Sequence, residues 1–122
     1  MTTPTSKTTD RDDELWRLEE AFWTSGRESA RTTTAAGAIM VFPYPAGIVQ
    51  GDDIWPQLIA NTGWRLVEIT ERSVCRRGDV AILAYRVRAE KPDTPIHDAL
   101  CASTWLNDSG SWLRLSHQQT PV

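Results

Sequence analysis

The chain has 122 residues, a length typical of one domain with its own apolar core and too short for two. Its 16 acidic and 13 basic residues give a formal charge of -3, so it lacks the basic excess that binds nucleic-acid phosphates, and no apolar run approaches the roughly 20 residues of a membrane helix. We therefore expect a cytoplasmic protein that binds neither nucleic acid nor membrane, since the first residues also lack the apolar stretch of a secretion signal.

The N-terminal part of the chain predicts a polar tail followed by a helix. Residues 1–9 are Thr-rich and show no hydrophobic periodicity, so we expect a disordered tail there and a single domain over residues 10–122. The first helix is predicted to begin near Asp10 and to end at Gly26. Its apolar residues at helical spacing are Leu15, Leu18 and Phe22.

The rest of the chain predicts shorter helices and then a sheet. Short helices are predicted over residues 28–34 and 51–61, with a hairpin or bent strand between them. The C-terminal half then has four β-rich segments separated by turn clusters, which indicates an antiparallel meander. These segments are residues 64–75, 80–90, 96–106 and 112–119. Helices first and a sheet second indicate an α+β fold.

This order of elements, with the segment Met40-Val-Phe-Pro and the ending Gly110-Ser-Trp-Leu-Arg-Leu-Ser-His-Gln-Gln-Thr-Pro121, resembles the SnoaL-like branch of the nuclear-transport-factor-2-like superfamily. The resemblance covers residues 13–121. It implies a cystatin-like cone, in which N-terminal helices pack on a curved antiparallel β-sheet around an open apolar mouth. It also implies a tendency to form a homodimer through the sheet face.

The superfamily includes ketosteroid isomerases, epoxide hydrolases, polyketide cyclases, dehydratases and non-catalytic binding domains, so the fold does not determine the function. Its isomerase-like members use a tyrosine of the first helix, and the predicted first helix here contains no tyrosine. The resemblance therefore does not predict steroid isomerisation for this chain.

Two side chains are candidate catalytic residues. Helical geometry places Glu19 among apolar side chains, where burial would raise the pKa of its carboxyl group and suit it to proton transfer. The alternative is that Glu19 extends to water or pairs with an arginine. His117 alternates with Leu113 and Leu115 on the last strand and is expected to face inward, as a proton shuttle or as a core histidine bonded to a backbone carbonyl.

Aromatic and apolar side chains supply a candidate pocket for a small apolar ligand. Tyr85 shares its strand face with Leu83 and Val87, so its hydroxyl is expected to point inward, either to orient a ligand or to make one core hydrogen bond. The predicted ligand-binding residues are Trp23, Met40, Phe42, Trp55 and Tyr85. Each is also compatible with a plain core position. No cofactor is predicted, and two histidines without clustered carboxylates do not predict a metal site.

The alternation along the last strand also predicts an interface. Trp112 and Arg114 are expected on the opposite strand face from His117, directed outward toward a second copy in a homodimer. Cys75 and Cys101 are expected to be reduced and to fill the core as small side chains.

Three functions remain open from the sequence. The favoured one is a module that binds a small apolar or aromatic molecule in the cone. The second is a cofactor-independent isomerase, cyclase or hydrolase that uses Glu19 and His117. The third is a non-catalytic dimeric interaction domain whose sheet face binds the partner.

Overall fold

The computed structural model describes residues 4–61 and 63–122, and the side chains of residues 12–58 and 63–122. In chain order the elements are α1 Pro4–Thr24, α2 Arg27–Thr32, β1 Thr34–Val41, β2 Ile48–Gln50, α3 Ile54–Asn61, β3 Leu66–Arg77, β4 Val80–Glu90, β5 His97–Asp108 and β6 Ser111–Pro121. A 3-10 turn, Gly51–Asp53, leads directly into α3. The predicted α+β order of elements is confirmed.

Helix α1 begins at Pro4 rather than near Asp10. Residues 4–9, which were predicted as tail, therefore belong to the helix, and residues 1–3 lie outside the described residues. Proline is tolerated in a first helical turn, because its missing N–H would have no intrahelical partner there. A polar stretch can also continue a helix without the apolar periodicity on which the prediction depended.

The six strands form one mixed sheet in the order β2-β1-β6-β5-β4-β3. Strands β3 to β6 are antiparallel neighbours in chain order, so the predicted meander is confirmed. Strand β1 joins this meander by pairing in parallel with β6, and β2 pairs antiparallel with β1. The last strand of the chain is thereby placed inside the sheet, between β1 and β5.

The two faces of the sheet differ in what covers them. On the inner face, which packs against α1, every second residue of β4 and β5 is buried. These residues include Leu83, Tyr85, Val87, Cys101, Ser103 and Trp105. On the outer face the alternate residues are half-buried or exposed, and no described helix covers them. The core of the domain therefore lies between α1 and the inner face.

A β-bulge in β6 changes which of its residues face inward. Thr104 of β5 pairs with Ser116, but Trp105 pairs with Arg114, so Leu115 is an extra residue on β6. In a regular strand, residues separated by an odd number of positions face opposite sides. The extra residue allows Arg114 and His117, which are three positions apart, both to face inward. Trp112 and Arg114 are buried along with His117. The prediction that Trp112 and Arg114 face outward is therefore wrong.

The two cysteines lie in different environments. Cys101 is buried on the inner face, as predicted, and no disulfide joins it to Cys75. Cys75 is exposed, so its predicted place in the core is wrong. It lies in β3, an edge strand of the sheet whose outward side chains are solvent-accessible.

The described helices do not include one that is both long enough and apolar enough to cross a bilayer.

Candidate functional site

Glu19 extends from α1 into the inner face of the sheet, where it is completely buried. One carboxylate oxygen, Oε2, accepts hydrogen bonds from the Tyr85 hydroxyl at 2.5 Å and from Ser103 Oγ at 2.6 Å. The other, Oε1, accepts from Trp105 Nε1 at 2.9 Å and from Arg114 Nη2 at 3.2 Å. Three neighbouring strands thus each supply a donor to the carboxylate of one helix.

The charge of Arg114 compensates that of Glu19. Arg114 is also completely buried and forms an ion pair with Glu19 at 3.2 Å. Burial alone would raise the pKa of Glu19, but the Arg114 charge, the nearby His117 Nδ1–H and the hydrogen bond from Ser103 outweigh it, so the pKa lies well below its usual range. Of the two interpretations of Glu19 that the sequence allows, the raised pKa is therefore wrong, and the alternative, in which the side chain pairs with an arginine, is confirmed.

Donor and acceptor roles can be assigned along a chain of hydrogen bonds that starts at Glu19. Ser103 donates its single hydrogen to Glu19, so its 2.7 Å contact with His117 is donated by His117 Nδ1–H. A neutral His117 then accepts at Nε2 from the amide nitrogen of Gln119 at 3.1 Å. The amide oxygen of Gln119 accepts from His97 Nε2–H at 3.1 Å. Nδ1 of His117 and Nε2 of His97 are thereby assigned as donors, and Nε2 of His117 is assigned as an acceptor.

His117 is neutral at neutral pH. Burial lowers the pKa of its imidazole, and the Arg114 charge lowers it further, against the opposing influence of Glu19. Its Nδ1 lies 3.5 Å from Glu19 Oε2. The structure thus brings together Glu19 and His117, the two predicted catalytic residues, in the ionised and neutral forms respectively. Burial and the Glu19 charge raise the pKa of Tyr85, which keeps its phenol neutral as a donor.

Aromatic rings enclose this polar cluster. Arg114 Cζ lies 4.3 Å from the ring centroids of both Phe22 and Trp105, a cation–π contact to each. The His117 ring lies 4.5 Å from Phe22 and 6.3 Å from Phe42, measured between centroids. A second aromatic group lies further along the hydrogen-bond chain, where the His97 ring is 5.6 Å from each of the Trp23 and Trp64 rings.

Four of the five predicted ligand-binding residues lie around the cluster. Trp23 Nε1 donates to the Tyr85 hydroxyl at 3.0 Å, Met40 is the cross-strand partner of His117, and Phe42 contacts the same histidine. All four are buried. Trp55 lies elsewhere, half-buried beneath Arg31, whose Cζ is 5.1 Å from the indole centroid. Sequence periodicity could not distinguish Trp55 from the other four residues. Only the tertiary arrangement of α3 determines whether the Trp55 side chain reaches the inner face of the sheet.

Open cavities lie away from the polar cluster. One has a volume of about 530 Å³ and is lined by Arg65, Leu66, Glu90, Lys91 and Pro92. A second, of about 400 Å³, is lined by residues 34–37, Gly51, Asp52 and Trp55. A third, of about 190 Å³, lies beside the first along β3 and β4. The inner face itself is filled by its own side chains, since Glu19, Met40 and Trp105 are all fully buried.

Some buried donors have no protein acceptor. Within the part of the chain that the structure describes, Arg114 Nε and Nη1 lack a hydrogen-bond partner, and so does Trp64 Nε1. An unsatisfied buried donor costs about 1–3 kcal/mol, and more when it carries charge. Arg114 is therefore the most costly polar side chain of the cluster.

The sequence prediction missed five members of the cluster: His97, Ser103, Trp105, Arg114 and Gln119. Ser103 and Trp105 share strand parity with the apolar Cys101, a signal that would have placed them inward. Gln119 has the same relation to His117. Arg114 had no such signal, because the bulge that turns it inward leaves no mark in the hydropathy pattern. The described residues contain no cluster of three or more His, Cys, Asp or Glu side chains that could hold a metal ion.

Comparison with known proteins identifies the fold. No family model and no curated protein sequence matches this chain. Among solved structures, a proposed ketosteroid isomerase from Parabacteroides distasonis has a TM-score of 0.76 at 12% identity, over 88% of this chain and 85% of its own. A nuclear-transport-factor-2-like protein from Cytophaga hutchinsonii has a TM-score of 0.72 at 12% identity, over 99% and 100%.

The association domain of CaMKII from C. elegans is similar to the same degree, with a TM-score of 0.74 at 14% identity over 95% of this chain and 96% of that domain. The chain therefore has the nuclear-transport-factor-2-like fold that its sequence predicts. At these identities the likeness concerns the fold alone, and the same fold carries both a proposed enzyme and an association domain.

Proposed function

We propose that this chain is an assembly domain whose outer sheet face binds the same face of a second copy, giving a homodimer. The observation that carries the proposal is the apolar surface on that face. Its large side chains Ile39, Val41, Ile82 and Leu100 are between 40% and 45% exposed. Soluble monomers rarely expose a contiguous apolar surface larger than a few hundred Å², and larger surfaces mark interaction sites.

Cross-strand pairing places these side chains next to one another. One row across four strands contains Ile82, Thr104, Ser116 and Ile39, and the next contains Ala84, Ala102, Gln118 and Val41. Leu100 borders the second row, and we refer to these residues together as the outer patch. The alanines of the second row have short side chains that protrude little from the sheet. A second sheet can therefore approach to the roughly 10 Å spacing of packed sheets.

The charges around the outer patch favour a second copy as its occupant. The patch contains no charged residue, and the adjacent Arg86 donates to both carboxylate oxygens of Asp98 at 3.0 Å. These flanking charges are thus paired within one subunit. A neutral apolar surface is complementary to itself, which is what a two-fold symmetric dimer requires. The likeness to an association domain supports the same function.

Sedimentation equilibrium of the purified protein tests the proposal. We expect a mass of twice 13.7 kDa for the unaltered chain. Ile82→Glu and Leu100→Glu each place a charge in the outer patch and should give folded monomers. Tyr44→Glu introduces the same charge at a side chain that is 92% exposed outside the patch, and it should leave the dimer intact. A monomeric unaltered chain, or a dimer that survives both patch variants, would contradict the proposal.

A second candidate function is binding of a small apolar or aromatic molecule at the inner face. The observation that favours it is the convergence of aromatic rings and polar side chains around Glu19 and His117, a composition common in ligand sites. Binding there requires the filled interior to open. A thermal-shift screen against lactones, terpenoids, steroids and aromatic acids tests it, and an absence of any shift would count against it.

The ionisation states do not favour the catalytic use of Glu19 and His117. A carboxylate with a strongly lowered pKa is a weak general base, and a neutral His117 has no proton to spare for acid catalysis at Nε2. The cluster is better suited to holding groups in place than to exchanging protons at neutral pH.

A further inference from the structure

The hairpin of β3 and β4 carries opposite charges at each of its two ends. At the closed end, Arg77 and Asp79 flank Gly78 in the turn that joins the strands. Near the open end, Glu68 and Arg88 are cross-strand partners. All of these charged side chains are exposed, and they form no ion pair within the part of the chain that the structure describes. They are therefore accessible to a partner.

These charges border the outer patch on opposite sides. Arg88 shares the strand face of Ile82, and its cross-strand partner Glu68 lies on that face as well. Leu83 marks the midpoint between the patch row of Ile82 and the next row, that of Ala84. At about 3.4 Å per residue, Asp79 lies about 14 Å before Leu83 and Arg88 about 17 Å after it. The two charged ends are thus nearly equidistant from the centre of the patch.

We infer that in the homodimer the turn of each subunit docks against Glu68 and Arg88 of the second copy, with the two-fold axis across the strands at Leu83. The inference rests on the proposed association through the outer patch. A two-fold axis in this direction exchanges positions before Leu83 with positions after it. Arg77 then faces Glu68 of the second copy, and Asp79 faces its Arg88. Each docking contact joins two acid–base pairs, and symmetry supplies two such contacts.

The shape of the face is complementary in the same arrangement. With the axis between the two rows, the large Ile82 packs over the small Ala84 of the second copy, and the reverse contact follows by symmetry. A cavity of about 190 Å³ lies at the end that receives the turn, lined by Leu66, Val67, Glu68, Arg88 and Glu90. The turn presents Gly78, whose missing side chain allows close approach to that cavity.

A two-fold axis parallel to the strands is the alternative for the same patch. It would place the two β3 strands at opposite sides of the dimer, because β3 is an edge strand of the sheet. The two Cys75 thiols would then be about 24 Å apart, which is five strand spacings of about 4.8 Å. With the axis across the strands, the two β3 strands face each other, and the thiols lie within about 10 Å, the spacing of packed sheets.

A short thiol cross-linker tests the direction of the axis. Cys75 is exposed and is the cross-strand partner of Ile82, whereas Cys101 is buried. We expect a short bismaleimide to join two unaltered chains through Cys75, seen as a band of doubled mass on a denaturing gel. Cys75→Ser is the control and should give no such band.

Charge reversal tests the docking contacts, with the Kd of the dimer measured by sedimentation equilibrium. Arg77→Glu and Glu68→Arg each bring like charges together in both symmetric contacts, and each should raise Kd about tenfold. The double variant Glu68→Arg/Arg77→Glu restores opposite charges and should return Kd to within about threefold of the unaltered value. Glu20→Arg reverses an exposed charge on α1, on the other side of the sheet, and should leave Kd unchanged.

The possible results separate this inference from the association on which it rests. A dimer without the Cys75 cross-link, or a double variant that dimerises as weakly as the single variants, would overturn the docking arrangement and leave association through the outer patch in place. A monomeric unaltered chain would overturn both.

Discussion

Glu19 and Arg114 illustrate how a single residue pair links stability to the site. Removing two charges from water is costly, and their attraction repays that cost only with good geometry and further hydrogen bonds. Glu19 has those hydrogen bonds, whereas Arg114 has one. The buried Glu19 carboxylate is therefore stable as long as the Arg114 guanidinium compensates its charge. Removal of either partner should lower the stability of the fold.

Arg114→Met should lower the free energy of unfolding by about 3–5 kcal/mol, because it leaves the Glu19 charge buried without its counter-ion. Urea denaturation measures this loss. The double variant Glu19→Gln/Arg114→Met has no buried charge and should lose less than the single variant. An equal loss in both would mean that packing of the arginine stem, rather than its charge, stabilises the fold.

The pH dependence of stability should reflect His117. Its pKa in the folded protein lies below 6.5, so the unfolded chain takes up a proton first as the pH falls, and stability decreases from about pH 6.5 downward. Glu19 acts in the same direction, but only below about pH 4.5. His117→Asn should therefore flatten the loss of unfolding free energy between pH 7.5 and 5.5, measured by urea titration at each pH.

His97 provides the control for that measurement. Its pKa is lowered by burial as well, against the opposing Gln119 hydrogen bond, but it is only half-buried. His97→Asn should flatten the profile less than His117→Asn does. Identical pH profiles for the unaltered chain and for His117→Asn would contradict the assignment of a lowered pKa to His117.

At the scale of elements, the sequence predicts the strands that have a regular alternation of apolar and polar residues, and it misses the features that interrupt this alternation. The four strands of the meander lie close to their predicted positions, because alternation of apolar and polar residues has a fixed period of two. The inward position of Tyr85 follows from the same alternation and is confirmed. The start of α1 at Pro4 was missed, since polar residues give a helix no periodicity to detect.

The bulge at Leu115 explains the larger error in the candidate site. A strict alternation assigns Arg114 and His117 to opposite faces, and the extra residue brings them to the same one. The parallel pairing of β1 with β6 cannot be predicted from the local sequence either, because it depends on contacts between segments that are far apart in the chain. The polar cluster could thus be predicted only in part: Glu19, Tyr85 and His117 from local spacing, but not the arginine that sets their charge state.

Deletion of Leu115 tests the bulge. Without the extra residue, either Arg114 or His117 must turn outward, which would expose one buried polar group and leave its partners unsatisfied. We expect a loss of more than about 3 kcal/mol of unfolding free energy, or loss of cooperative unfolding. Leu115→Val keeps the residue count and should cost less than about 1.5 kcal/mol. Near-native stability of the deletion variant would show that β6 can re-register without cost.

At the scale of the whole molecule, the domain has an interior that is filled and a sheet face that is not covered. The inner face is closed by α1 and by its own aromatic side chains, whereas the outer patch leaves Ile39, Val41, Ile82 and Leu100 in contact with water. Burying that face in a dimer would add apolar contacts that a single subunit cannot make for itself. Folding and association should therefore be linked.

This linkage predicts a stability that depends on protein concentration. For a dimer that dissociates as it unfolds, each tenfold dilution lowers the stability of the dimer by about 1.4 kcal/mol, so Tm should fall measurably between 100 and 1 µM protein. Ile82→Glu breaks the outer patch and should have a Tm that does not change with dilution. Tyr44→Glu should keep the dependence of the unaltered chain. A Tm of the unaltered chain that is constant over this range would mean that the outer patch is exposed in a stable monomer, and the function would then have to be sought at the buried cluster around Arg114.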